Sequence, residues 1–174
     1  EAVRGVAVDF LSQERGLSVP VAHGPFLYYT RTEEGQQYPS LWRRPAPDGP
    51  AQLLVDVNAL AVGRPFCRLG AAKPSPDHAL LAYALDTTGG LVFTIYVKDL
   101  ASGELLPVQI PNAAYSLEWG EDGRSLYYTT FDHAHRPHRL YRHTLGSDPS
   151  QDELLHEEPN ERLTLYLNKT RSGA

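Results

Sequence analysis

An all-β fold built from a repeated unit is the prediction for this chain, and three observations support it. Pro and Gly number 14 each among 174 residues, with ten Tyr, a composition of short strands and frequent turns. Runs of alternating or apolar character recur along the chain, separated by turn signals such as Pro47-Asp48-Gly49, Pro76-Asp77, Thr88-Gly89-Gly90, Ser102-Gly103 and Asp122-Gly123. Most telling, three landmarks return in step. Leu27-Tyr28-Tyr29-Thr30 is followed by Leu81-Ala82-Tyr83-Ala84 and Leu126-Tyr127-Tyr128-Thr129, at offsets of 54 and 45 residues. Leu41-Trp42, Ile95-Tyr96 and Leu140-Tyr141 repeat the same two offsets, and Leu53-Leu54, Leu105-Leu106 and Leu154-Leu155 give 52 and 49. A strand-only unit of roughly 40–50 residues is the size of a propeller blade. The competing reading is a β-sandwich whose short, evenly spaced strands resemble one another by accident.

The elements follow in order. Val3, Val6, Ala7, Phe10 and Leu11 have helical spacing and predict a short helix, weakened by Gly5, with a stop at Gly16. Strands are predicted at residues 26–31, 40–44, 53–56, 79–86, 91–100, 116–119, 125–131, 138–145 and 163–169. Residues 1–24 are therefore read as an N-terminal helix and extended segment. Residues 25–174 are read as a partial β-propeller of about three blades plus the first strand of another. Closed propellers use four to eight blades, and the chain has neither Met nor a start at Met. Both facts lead us to expect a fragment of a longer protein.

Composition excludes several functions. Lys plus Arg is 16 against 21 Asp plus Glu, net −5, which argues against nucleic acid or an anionic membrane as partner. A single Cys cannot form an internal disulfide or a Cys-based zinc site, so a reducing, cytoplasmic setting is expected. No run of 18 apolar residues occurs.

Specific residues then carry a resemblance. Tyr28-Tyr29-Thr30-Arg31, Glu34-Gly35-Gln36-Gln37-Tyr38-Pro39 and Arg43-Arg44 resemble the first blade of oligopeptidase B, a branch of the prolyl oligopeptidase family of serine peptidases. The similarity runs on through Leu54-Val55-Asp56-Val57-Asn58, Ser75-Pro76-Asp77, Asp86-Thr87-Thr88-Gly89, Val97-Lys98-Asp99-Leu100, Glu118-Trp119, Asp122-Gly123, Arg136-Pro137, Arg142-His143, Glu157-Glu158 and Ser172-Gly173. Each piece is weak alone; their order and spacing are specific. The resemblance implies a seven-bladed propeller capping an α/β-hydrolase domain that carries Ser, Asp and His and cleaves after Lys or Arg. Residues 1–24 would belong structurally to the hydrolase part. No Gly-x-Ser-x-Gly elbow occurs in the sequence. No catalytic residue is therefore assigned to this chain, and the expected partners are a C-terminal hydrolase domain and, through it, an oligopeptide. No cofactor is expected.

Four places were weighed as sites. Glu118 shares a strand face with Ser116, opposite Leu117 and Trp119. On an inner strand it would lie near the channel or the hydrolase domain and want a cationic partner, an Arg of that domain being one candidate. Lys98 is a weaker candidate for similar pairing, and a solvated Glu118 is the plainer reading. His133, His135 and His138 form His-x-His-x-x-His next to Asp132, a conceivable divalent-metal set, but a hairpin tip marked by Pro137 explains them equally. Cys67 is read as buried and inert. Asp152-Glu153 and Glu157-Glu158 suit either electrostatic steering of basic peptides or a solvated outer strand. The alternatives to a peptidase lid are a stand-alone propeller-like scaffold that self-associates through open blade edges and a small metal hydrolase using the His loop.

Overall fold

Each strand predicted between residues 26 and 145 is present, and each landmark falls on the same strand of its blade. The computed structural model describes residues 16–170. The helix expected over residues 2–11 lies outside them. Among the described residues there are eleven strands, one five-residue helix and a 3₁₀ turn.

The first unit, up to Val62, is one antiparallel four-stranded blade. It comprises β1 (Val21–His23), β2 (Phe26–Arg31), β3 (Ser40–Pro45) and β4 (Gln52–Val55), paired in chain order. Because β1 pairs with β2, this sheet begins before Gly24. Helix α1 (Val57–Ala61) follows, capped by Asp56, whose carboxylate accepts the Ala59 N–H at 3.0 Å. Asn58 ties the helix to the β2–β3 loop. Its Oδ1 accepts the Gln37 and Tyr38 amides, and its Nδ2 donates to the Tyr38 carbonyl at 2.8 Å.

The second unit, from Gly63, holds two blades joined through one strand. Strands β5 (Arg68–Pro74), β6 (Leu80–Asp86) and β7 (Phe93–Asp99) pair with the first half of β8 (Leu105–Trp119). The second half of β8 opens the next blade, with β9 (Ser125–Phe131), β10 (Pro137–Thr144) and β11 (Glu153–Glu157). The strand changes blade at Pro111-Asn112. Proline removes a ladder N–H there. Asn112 takes φ 59°, the left-handed region that Asn tolerates better than most residues. What a strand-by-strand count sees as one seven-stranded sheet is thus an outer strand running on into an inner one.

The repeat is visible in register. Tyr29 stands opposite Trp42, Tyr83 opposite Tyr96 and Tyr128 opposite Tyr141. The last two pairs stack at 5.6 Å, with interplanar angles of 25° and 17°. A stacked cross-strand aromatic pair stabilises a sheet by up to about 1 kcal/mol, so blades 2 and 3 each carry a clamp at the same position. Burial pushes the Tyr83 hydroxyl up to about 12. It also raises Tyr128, whose hydroxyl donates to Asp152 at 2.8 Å.

Blades 2 and 3 share one core. Ala82, Ala84, Phe93, Ile95 and Val97 from blade 2 join Leu117, Trp119, Leu126 and Tyr128 from blade 3, all buried. Within blade 2, Gly70 leaves room for the Phe93 ring two strands away: a Cβ there would sit 2.7 Å from it. The turn that starts each second strand also repeats. Asp77 accepts from the Ser75 hydroxyl and the Ala79 amide. One repeat later, Asp122 accepts from the Arg124 and Ser125 amides and the Ser125 hydroxyl. These donors hold both carboxyls below the ordinary range. His78 (φ 59°) and Gly123 (φ 62°) fill the same left-handed position.

Helix α1, β1 and the first half of β8 are not foreseen by the sequence reading, which gives no strand bounds for β5 or β11. The residues expected to form a strand at 163–169 carry no ladder. They run extended beside blade 3, with the Leu165 amide donating to the Pro137 carbonyl at 2.9 Å. A strand is defined by its neighbour, and among the described residues none pairs with this segment.

Blade 3 is closed by a buried polar cluster. His143 and Asp152 side chains are 0% and 3% exposed, with Nδ1 and Oδ1 2.7 Å apart, and Asp152 also receives the Tyr128 hydroxyl. His143→Ala leaves a buried carboxylate with one partner. It is expected to destabilise the chain by about 3 kcal/mol in urea unfolding. A loss below about 1 kcal/mol would show that this cluster does not hold the blade shut.

Candidate functional site

The inner strands of blades 2 and 3 bring charged side chains together. Lys73 on β5 and Glu118 on β8 occupy one repeat position, 45 residues apart. They meet across the blade boundary with Nζ to Oε1 at 2.5 Å. Glu118 is 12% exposed and Lys73 41%. Beside them the Trp119 indole N–H donates to the Lys73 carbonyl at 2.8 Å. The motif then extends to the final segment: Lys169 Nζ lies 2.6 Å from a Glu121 carboxylate oxygen and donates to the Trp119 carbonyl at 3.4 Å. Lys73 and Glu118 tie two successive inner strands at matched positions, and a carboxylate this sheltered needs such a partner.

Glu118 therefore has a cationic partner within this chain. Lys73 was not singled out from sequence, although stepping back one repeat from Glu118 lands on it. Lys98 lies on β7, opposite Leu81 and Leu105, on the third strand of its blade and not on an inner strand. Cys67 is buried and free, and burial pushes its thiol up, away from a reactive thiolate.

The His segment forms a tight turn. Asp132 accepts the Ala134 and Arg136 amides at 2.8 and 2.9 Å and the Arg136 Nε–H at 2.9 Å. The Arg136 amide, then the guanidinium, outweigh burial and hold the Asp132 carboxyl down at about 2. His135 takes φ 56°, and its ring lies 5.5 Å from Phe131. His138 sits on β10. Among the described residues no group of three or more His, Cys, Asp or Glu is placed to hold a metal ion. Arg136 has the larger role. Its Nη1 donates to the carbonyls of Glu158, Asn160 and Leu163 at 3.3, 3.1 and 2.7 Å, clamping the segment that leaves blade 3.

The acidic pairs on β11 face cations. Glu157 meets Arg139 at 3.0 Å and Glu153 meets Arg142, both exposed contacts that contribute little. The His143–Asp152 contact has the form of a catalytic base and its orienting carboxylate. It is sealed in the blade, however, and the His143 Nε2 faces no hydroxyl among the described residues. Among the described residues no hydroxyl or thiol stands at hydrogen-bond distance from that nitrogen. No helix among the described residues is long and apolar enough to cross a membrane.

Comparison with known proteins agrees with the blade pattern. Residues 9–174 match the family model described as prolyl oligopeptidase, N-terminal beta-propeller domain. Protease 2 of Moraxella lacunata is 39% identical over 165 residues, covering 90% of this chain and 24% of that protein. Dipeptidyl aminopeptidase BI of Pseudoxanthomonas mexicana is 36% identical over 173 residues, covering 88% and 24%. Among solved structures, oligopeptidase B from Leishmania major superposes with a TM-score of 0.84 at 28% identity over 95% of this chain and 24% of its own. Oligopeptidase B from Trypanosoma brucei, in a closed form with covalently bound antipain, gives 0.82 at 27% over 98% and 24%. The chain spans about a quarter of the length of these relatives.

The Asp132 clamp has a signed pH dependence. Its folded pKa lies below the unfolded value of about 4, so its stabilisation is complete above that value and is lost as pH falls towards 2. Asp132→Asn is expected to flatten the fall in stability between about pH 4 and pH 2 and to raise amide exchange over residues 158–165 at neutral pH. Unchanged exchange in that segment would show that Arg136 holds it without Asp132.

Proposed function

Because the chain belongs to the prolyl oligopeptidase N-terminal β-propeller family, we propose that it serves as the substrate-gating lid of an oligopeptidase B-like serine peptidase. The parent enzyme hydrolyses short peptides after Lys or Arg by acyl-enzyme chemistry, supplied by a C-terminal hydrolase domain. The observation that carries this reading is the match to oligopeptidase B along nearly the whole chain, at a TM-score of 0.84. The tied inner strands support the mechanism. Lys73–Glu118 and Trp119–Lys73 lock neighbouring blades, so the wall they form is rigid and narrows the approach to a nucleophile beneath it. Flexible oligopeptides pass such a wall, and folded proteins do not. Opening by separation of lid and hydrolase domain would then admit substrate and release product. The closed form described for the Trypanosoma brucei relative fits such a cycle.

The test compares the full-length parent with this 174-residue chain, using fluorogenic peptides and a serine-reactive covalent probe. The parent is expected to label and to prefer Lys or Arg before the scissile bond by about a hundredfold in kcat/KM, the discrimination a buried counter-charge supplies. The chain alone is expected neither to label nor to turn over. Labelling of the chain would place chemistry within it. Release of N-terminal dipeptides by the parent, as the name of the Pseudoxanthomonas relative indicates for that enzyme, would replace the Lys/Arg reading. A discrete ring of chains by native mass spectrometry would favour a self-associating scaffold instead.

A further inference from the structure

A groove opens between the outer part of blade 2 and blade 3. Along the first half of β8, exposed Leu105, Pro107 and Gln109 alternate with half-buried Leu106 and Val108. Leu106 and Val108 pack against the core that the two blades share. Opposite them blade 3 presents a turn in place of a strand, because β10 ends at Thr144 and β11 begins only at Glu153. Leu145 packs on the same core, and Pro149 opens the 3₁₀ turn that follows. The space left between these elements is a cavity of about 570 Å³ with mainly aliphatic walls. That is the size of a small-ligand site.

One charge lines this groove. Asp148 caps the 3₁₀ turn, its Oδ1 accepting the Ser150 amide at 2.8 Å. That amide, then the Ser150 hydroxyl, hold its carboxyl below the usual range, so it is ionised at neutral pH. Glu118, Glu121, Glu153 and Glu157 each meet a Lys or Arg, whereas Asp148 is paired with no cation among the described residues. No Lys or Arg among the described residues lines the groove either. Pro107 marks β8 as an edge here, and among the described residues this half of β8 pairs with β7 alone. Extended chain therefore has room to lie beside it.

We propose that this groove takes a lysine or arginine side chain from an extended peptide, and so docks the basic peptides that the parent would cleave, an inference that rests on the function proposed above. Two properties select this ligand. Aliphatic walls favour methylenes, and a carboxylate without a cation favours a positive charge. Among peptide side chains, Lys and Arg carry both, an aliphatic stem and a charged head. The net charge of −5 adds a general attraction for such peptides.

Amide exchange of the full-length parent tests the assignment. The peptide Val-Lys-Val-Lys-Val-Lys is added after treatment with a serine-reactive covalent probe, which blocks turnover. Exchange over residues 105–110 and 145–149 is expected to slow roughly fivefold with peptide at about four times its Kd. Asp148→Asn keeps the cap, since Asn serves there as well as Asp, and is expected to weaken binding by about three- to fivefold at low salt. The same peptide with norleucine in place of lysine is expected to leave exchange unchanged. No slowing with the lysine peptide would overturn the proposal. Equal slowing by the norleucine peptide, or undiminished binding to Asp148→Asn, would show a cleft that reads no charge and would also overturn it. Slowing that needs no peptide and fades on dilution would assign the groove to a second copy, against the proposal. Labelling by the covalent probe separates this claim from the one it rests on. An unlabelled parent with a protected groove would sink the peptidase reading and keep the basic-peptide site. A labelled parent with an unprotected groove would do the reverse.

Discussion

A four-stranded blade has two faces, and among the described residues no helical layer covers those of blades 2 and 3. That constraint organises the second unit. Blade 2 turns Phe93, Ile95 and Val97 towards Leu117, Trp119 and Leu126 of blade 3, and all six are buried. At roughly 2 kcal/mol for each large side chain removed from water, this shared core is the main favourable contribution to joining the blades. Polar contacts then set its alignment. The Trp119 indole finds the Lys73 carbonyl, and Lys73 finds Glu118. The continuous strand β8 makes the arrangement nearly obligatory, because one backbone is the outer edge of one blade and the inner edge of the next.

The sequence was most legible where a side-chain pattern repeats. Strands two, three and four carry Leu-Tyr or Leu-Leu landmarks, and the facing aromatic pairs, such as Tyr83–Tyr96 and Tyr128–Tyr141, sit on those landmarks. Inner strands were harder to read. Strand β5 reads Arg-Leu-Gly-Ala-Ala-Lys-Pro, which has little intrinsic preference for a strand. Its conformation comes from pairing with β6 and from the Phe93 ring of the same blade packed against Gly70. Strand β11 is exposed along its length and exists through pairing with β10. The extended segment 163–169 shows the opposite case: its Leu-Thr-Leu-Tyr alternation suits a strand, but its pairing neighbour is not among the described residues.

The candidate site was legible in part for the same reason. Glu118 stood out as a carboxylate on an inner face, whereas its partner Lys73 emerged only when the repeat was used to find the equivalent position. Arg136 carried weight as part of a motif, but its role in clamping three carbonyls of the departing chain depends on folding. The contacts among Tyr115, Phe131, His135 and Tyr166 could not be read linearly, since these residues lie up to 51 positions apart and their rings meet only in the fold.

Selection by size is the central claim of this account. Its most direct test is kcat/KM of the full-length parent for one cleavable sequence, presented first as a short free peptide and then within a surface loop of a folded protein. A rigid propeller wall predicts efficient cleavage of the peptide and loss of nearly all activity on the folded carrier, with activity restored when the carrier is unfolded and cut into short pieces. Equal cleavage of both forms would contradict the account, since the blades would then not limit what reaches the nucleophile.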